Sequence, residues 1–175
     1  MQQKTPMTHD PRTIANLILD MAQKRPQTPP ISGMKLQAMI FFLHARYLHE
    51  HNGRPAIKGM FEALPEGAIL KPLVRSLPPD GNPIGRKRAF SLNLVTGETR
   101  PLIQPVDQNI ITLIPPLLEK TAYMPDDLVL SLIKTPDGPW AYTRNAVSRG
   151  KAVTYFITHE TILARTGAMK SLVPS

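Results

Sequence analysis

Apolar residues recur at three- and four-residue spacing through Ile14, Leu17, Ile18, Met21 and Ala22, the signature of one buried helix face. Asp10-Pro11 precedes that stripe, an acceptor for free backbone donors followed by a residue suited to a first helical position. Pro26 and Pro29-Pro30 end the helix and form a stiff connector. A second helix is predicted from the cap Ser32 to a stop near Gly53, with Leu36, Met39, Ile40, Leu43 and Tyr47 on its buried face. Phe41 and Phe42 widen that stripe beyond one face, which places the helix at the centre of the core.

Residues 56–63 alternate loosely and read as extended or looped. Ile69, Leu70, Leu73, Val74 and Leu77 predict a short helix within Gly67–Leu77, with Pro72 in its first turn. Residues 78–86 hold three prolines and two glycines and read as irregular. Period-two alternation over Ala89–Leu94, the turn signal Thr96-Gly97 and a return over Thr99–Ile103 predict a β-hairpin. Asp107 caps a helix carrying Ile110, Ile111, Ile114, Leu117 and Leu118, which Pro115-Pro116 is expected to break or kink. Asp126-Asp127 opens another helix through Leu128 and Ile133. Asp137-Gly138-Pro139-Trp140 reads as a turn, and Thr158 caps a last helix through Ile162 and Leu163 that stops at Gly167.

These elements predict a mainly α fold: a compact multi-helix single domain over residues 10–167, with a small β-hairpin insertion at about 84–104. Residues 1–9 are expected to form a flexible N-terminus and residues 168–175 a flexible tail. A length of 175 residues suits one domain, and a hydrophobic share of 42% excludes a disordered chain. The 19 prolines require short elements separated by shaped loops. The absence of cysteine excludes a disulfide scaffold and thiolate zinc sites. No apolar run reaches the roughly 18 residues of a membrane span, and the polar N-terminus has no signal-peptide core, so a cytoplasmic protein is expected.

A net charge of +8 attracts nucleic acid, acidic proteins or anionic surfaces. Arg86-Lys87-Arg88, with Arg100 across the hairpin, is the candidate basic surface. Trp140, Phe41 and Phe42 are the candidate protein-binding residues: packing is the ordinary role of each ring, and an exposed one would anchor a partner. Catalytic and metal chemistry find little support. His44, His49 and His51 lack the i, i+4 spacing of a helical metal site, and His159-Glu160 has Leu163 where a zinc-protease motif needs its second histidine. Glu62 and Glu66 read as solvated carboxylates, no Gly-x-Ser-x-Gly elbow frames a nucleophile, and no glycine-rich loop cradles phosphate.

The run Leu36-Gln37-Ala38-Met39-Ile40-Phe41-Phe42, then Gly53-Arg54-Pro55-Ala56-Ile57, Phe61-Glu62-Ala63…Gly67-Ala68 and finally Gly138-Pro139-Trp140 resembles, in order, the Panacea domain. This is also called the SocA-like or phage-associated family, and the resemblance spans about residues 12–166. The chain departs from the family pattern at Ala38, where a lysine is usual, at Phe41, where a tyrosine is usual, and at Ala68, where a proline follows the glycine. The resemblance implies a helical antitoxin domain that neutralises or modulates a toxin or other effector by direct binding, in a family with no established enzymatic activity; no cofactor is expected. Its competitor is a nucleic-acid-binding regulatory protein of phage or mobile-element origin that uses the basic hairpin.

Overall fold

The structure, a computed structural model, describes residues 8–169. The expected flexible N-terminus and tail lie outside that range except for residues 8, 9, 168 and 169. His9 is not frayed. It is buried, its N–H donates to the Ala56 carbonyl at 2.9 Å, and its own carbonyl accepts from Lys58 N at 2.8 Å.

Helix α1 spans Pro11–Gln23, with the Asp10 carboxylate accepting from Arg12 N at 2.9 Å. Helix α2 spans Gly33–Glu50, with Ser32 Oγ accepting from Lys35 N at 3.1 Å. Of its 18 residues, 14 are buried, the pattern of a helix enclosed on all sides rather than lying on a surface. Helix α1 and the later helices α4 (Gln108–Thr121), α5 (Asp126–Ile133) and α7 (His159–Arg165) all pack on it. Leu36, Met39, Ile40 and Leu43 are buried at its centre. Gly33 makes the entry to α2 possible, because a Cβ there would sit 1.7 Å from the Pro78 carbonyl oxygen.

Between α2 and α4 the chain is more extended than its pattern suggests. Strands β1 (Phe61–Leu64) and β2 (Gly67–Ile69) form an antiparallel hairpin, so residues 67–69 are strand and helix α3 is confined to Lys71–Val74. Gly67, at φ +134°, takes a conformation rare for any residue with a side chain and turns the chain into β2. Strand β5 (Phe156–Ile157) adds to β1 from far along the sequence, giving the order β2-β1-β5. The ribbon expected after residue 84 is present as β3 (Phe90–Leu92) and β4 (Thr99–Pro101), paired antiparallel with Phe90 opposite Pro101.

Helix α4 runs through Pro115 and Pro116 as one element and is not divided into two pieces. The missing N–H groups free the carbonyls of Ile111 and Thr112, and these lie on the half-buried to exposed side of the helix, where water can reach them. The segment read as a turn at Trp140 is the first turn of helix α6 (Pro139–Ser148), with Gly138 as its cap and Pro139 at its first position. A 3₁₀ turn, Thr166–Met169, follows α7. Seven helices and two small antiparallel sheets thus make up the described residues.

Buried polar side chains pin the loops to the helices. Asn16 grips the residue before the ribbon, donating to Ala89 O at 2.9 Å and accepting from Ala89 N at 2.7 Å. Gln37 grips Leu70 in the same way, accepting from its N–H at 2.9 Å and donating to its carbonyl at 3.4 Å. Lys35 is almost wholly buried and joins α2 to the α4–α5 connection, through Ala122 O at 3.1 Å and Asp126 at 3.4 Å.

Candidate interaction surface

Phe41 and Phe42 are core residues, 0% and 1% exposed, so neither ring offers a partner a contact. Because α2 is surrounded, the ring that leaves its main stripe meets a second layer: Phe41 packs edge-on against Phe61 at 5.0 Å between centroids. Trp140 is half-buried, and its indole N–H donates to Leu64 O at 2.9 Å and Gly67 O at 3.2 Å, closing the β1–β2 turn. Two cations lie over its ring, Lys134 Nζ at 5.0 Å and Arg144 Cζ at 5.3 Å from the centroid. Arg144 also covers the Tyr155 ring at 5.2 Å and donates to Ala63 O at 2.9 Å, which ties α6 to β1 and to the approach to β5.

The candidate basic surface does not form a ribbon of free charge. Arg86, Lys87 and Arg88 precede β3, and Arg88 folds back onto α1, donating to Asp20 at 2.7 Å and Gln23 at 2.8 Å. Arg100 bonds Glu98 at 3.2 Å. Arg86 borders an apolar notch of about 230 Å³ between α1 and residues 28–31, and Lys87 is exposed. Beside these exposed polar groups, the ribbon's turn presents Leu94 and Val95, and Ile103 is exposed just after β4.

A different set of cations converges where α6 meets α7. Arg149, Lys151 and Arg165, with Tyr142, Asn145 and Asp137, line a groove of about 420 Å³. Gly150, at φ +67°, reverses the chain after α6, and the N–H groups of Lys151 and Ala152 turn back to the Ala146 carbonyl at 2.8 and 3.2 Å. The turn thereby carries Lys151 to the groove. Arg165 stacks its guanidinium 3.7 Å from the centre of the Tyr142 ring. Among the described residues, no ion pair neutralises Arg149, Lys151 or Arg165. Sequence reading missed this cluster because its charges form no run.

Of the histidines and glutamates noted in the sequence, His44 and His159 lie together, and the others stand apart from them. His44 is buried against Phe61 and against His159, at 5.1 Å between ring centroids, and its Nδ1 has no partner among the described residues. Burial, reinforced by the neighbouring His159, pushes His44 down to about 3, so it is neutral across the physiological range. His49 contacts the Thr166 hydroxyl, and His51 stacks on Tyr47 at 3.8 Å. Glu62 pairs with Lys71 at 3.0 Å, and Glu66 is exposed. Among the described residues no three His, Cys, Asp or Glu side chains are placed to share a metal ion.

Fold and surface together define a helical domain built around one enclosed helix, with a basic and aromatic face on its C-terminal elements. The chain belongs to the SocA-like antitoxin family. It is 30% identical over 145 residues to antitoxin SocA of Caulobacter vibrioides (strain NA1000 / CB15N), a match covering 80% of this chain and 76% of that protein. No family model matches the chain, and no solved structure matches it significantly. No helix among the described residues is long and apolar enough to cross a membrane.

Proposed function

We propose that this protein is an antitoxin of the Panacea type that neutralises a toxin in the cytoplasm by binding it directly, without catalysis and without a cofactor. The similarity to antitoxin SocA over most of both chains carries this reading. The geometry supports a surface mechanism. Residues of the Panacea-like motifs are occupied in architecture: Gln37 holds Leu70, Phe41 fills the core and Trp140 closes the β1–β2 turn. Partner recognition then falls to exposed side chains. The nucleic-acid alternative draws little from the ribbon, since Arg88 and Arg100 are paired with Asp20 and Glu98 and do not form a row free to meet phosphates.

Co-expression with a toxin whose gene adjoins this one tests the proposal. The expected result is rescue of growth together with a complex that co-elutes on gel filtration. Continued toxicity and separate elution would overturn it.

A further inference from the structure

We infer that the groove between α6 and α7 is an acceptor site for an acidic segment of a protein partner, an inference that rests on the antitoxin reading and names the chemistry of its partner. Arg149 and Lys151 are exposed and have neither an ion-pair partner nor a side-chain hydrogen bond among the described residues, and Arg165 is held by the Tyr142 ring and the Asp137 carbonyl. A net charge of +8 makes such unpaired cations costly through mutual repulsion, a cost relieved when carboxylates dock among them. Arg165 is already oriented by its ring, so little side-chain freedom is lost when it takes a bidentate carboxylate.

The surroundings favour protein over nucleic acid. The chain leaves the groove at Ala152 and runs directly into Val153, 99% exposed, and then Tyr155 and Phe156, both partly exposed. Apolar and aromatic side chains beside a charged groove match the mixed character of a protein interface and have no counterpart in a phosphate backbone. Asp137, which also lines the groove, offers an acceptor to the amides and hydroxyls of a peptide, donors that a phosphate backbone lacks.

The full-length chain, a toxin whose gene adjoins this one, and the paired variants Arg149→Glu with Lys151→Glu and Arg149→Gln with Lys151→Gln test the inference by calorimetry at low and physiological salt. The charge-reversed variant is expected to lose affinity by about tenfold or more, the neutral variant by less, with melting temperatures equal to the parent's. An oligoglutamate peptide is expected to compete with the toxin for the parent. Parent-like affinity in the charge-reversed variant would overturn the inference and leave toxin binding intact. Absence of any complex between the parent and the toxin would remove the antitoxin reading itself, and this inference with it. Parent-like toxin affinity combined with loss of duplex DNA binding in the same variant would make the groove a phosphate site instead.

Discussion

The side chain of Gln37 and the backbone of Leu70 exchange two hydrogen bonds inside the core, so that a helical amide takes the place of a neighbouring strand. Leu70 is 0% exposed; its carbonyl also accepts from Leu73 N at 3.1 Å, whereas its N–H depends on Gln37 among the described residues. Gln37→Leu should therefore destabilise the fold by about 1–3 kcal/mol, the cost of leaving the Leu70 N–H buried without a partner. Urea denaturation measures it, and a loss below about 1 kcal/mol would mean that water or a backbone shift replaces the amide.

Arg86, Lys87 and Arg88 adjoin in sequence but should respond differently to truncation. Arg88→Ala removes the bonds to Asp20 and Gln23 from a side chain only 14% exposed, and should cost about 1–2 kcal/mol. Arg86→Ala and Lys87→Ala should stay within about 0.5 kcal/mol of the parent in the same denaturation series. Equal responses at all three positions would show that the α1 tether contributes nothing.

Acid should weaken the fold through its buried histidines. His44 accepts a proton near its ordinary value of 6.5 when unfolded but only near about 3 when folded, so the unfolded state binds protons first as pH falls. Stability is complete above about pH 6.5 and declines by up to roughly 1.4 kcal/mol per pH unit below it. Burial lowers His9 and His159 as well, which adds to the same slope. Asp10, which burial raises but Arg12 holds below its ordinary 3.8, contributes stability above that value and loses it only as pH falls further. The melting temperature should fall between about pH 7 and pH 5, and His44→Leu should flatten that dependence. A pH-independent parent would contradict the burial of a neutral His44.

Much of the helical framework is legible in the sequence because its signals are local. Asp10, Ser32, Asp107 and Thr158 each accept the backbone hydrogen bond that their positions suggest. Phe41 and Phe42 mark α2 as central because two adjacent large rings cannot share one helix face. The sheet β2-β1-β5 is illegible for the opposite reason: Phe61 pairs with Ile157, and strands of two to four residues carry too little alternation to announce a partner so distant. Helix α6 escaped because it buries only Pro139 and Thr143, which leaves no apolar stripe. The groove escaped because Arg149, Lys151 and Arg165 meet only after α6 and α7 have packed.

The β3–β4 ribbon exposes Leu94, Val95 and Ile103, a composition that invites a second ribbon to add alongside it. Ladder bonds at Ala89–Leu102 and Asn93–Glu98 set the alternation, which turns the backbone polar groups of Phe90 and Pro101 outwards. On the β4 side the outward nitrogen belongs to proline and has no hydrogen to donate. On the β3 side the outward carbonyl of Phe90 is already taken by the Arg12 guanidinium at 3.2 Å. An incoming strand finds a missing donor at Pro101 and an occupied acceptor at Phe90. That leaves only Leu92 on one margin and Thr99 on the other to pair with it, too short a ladder to template fibres.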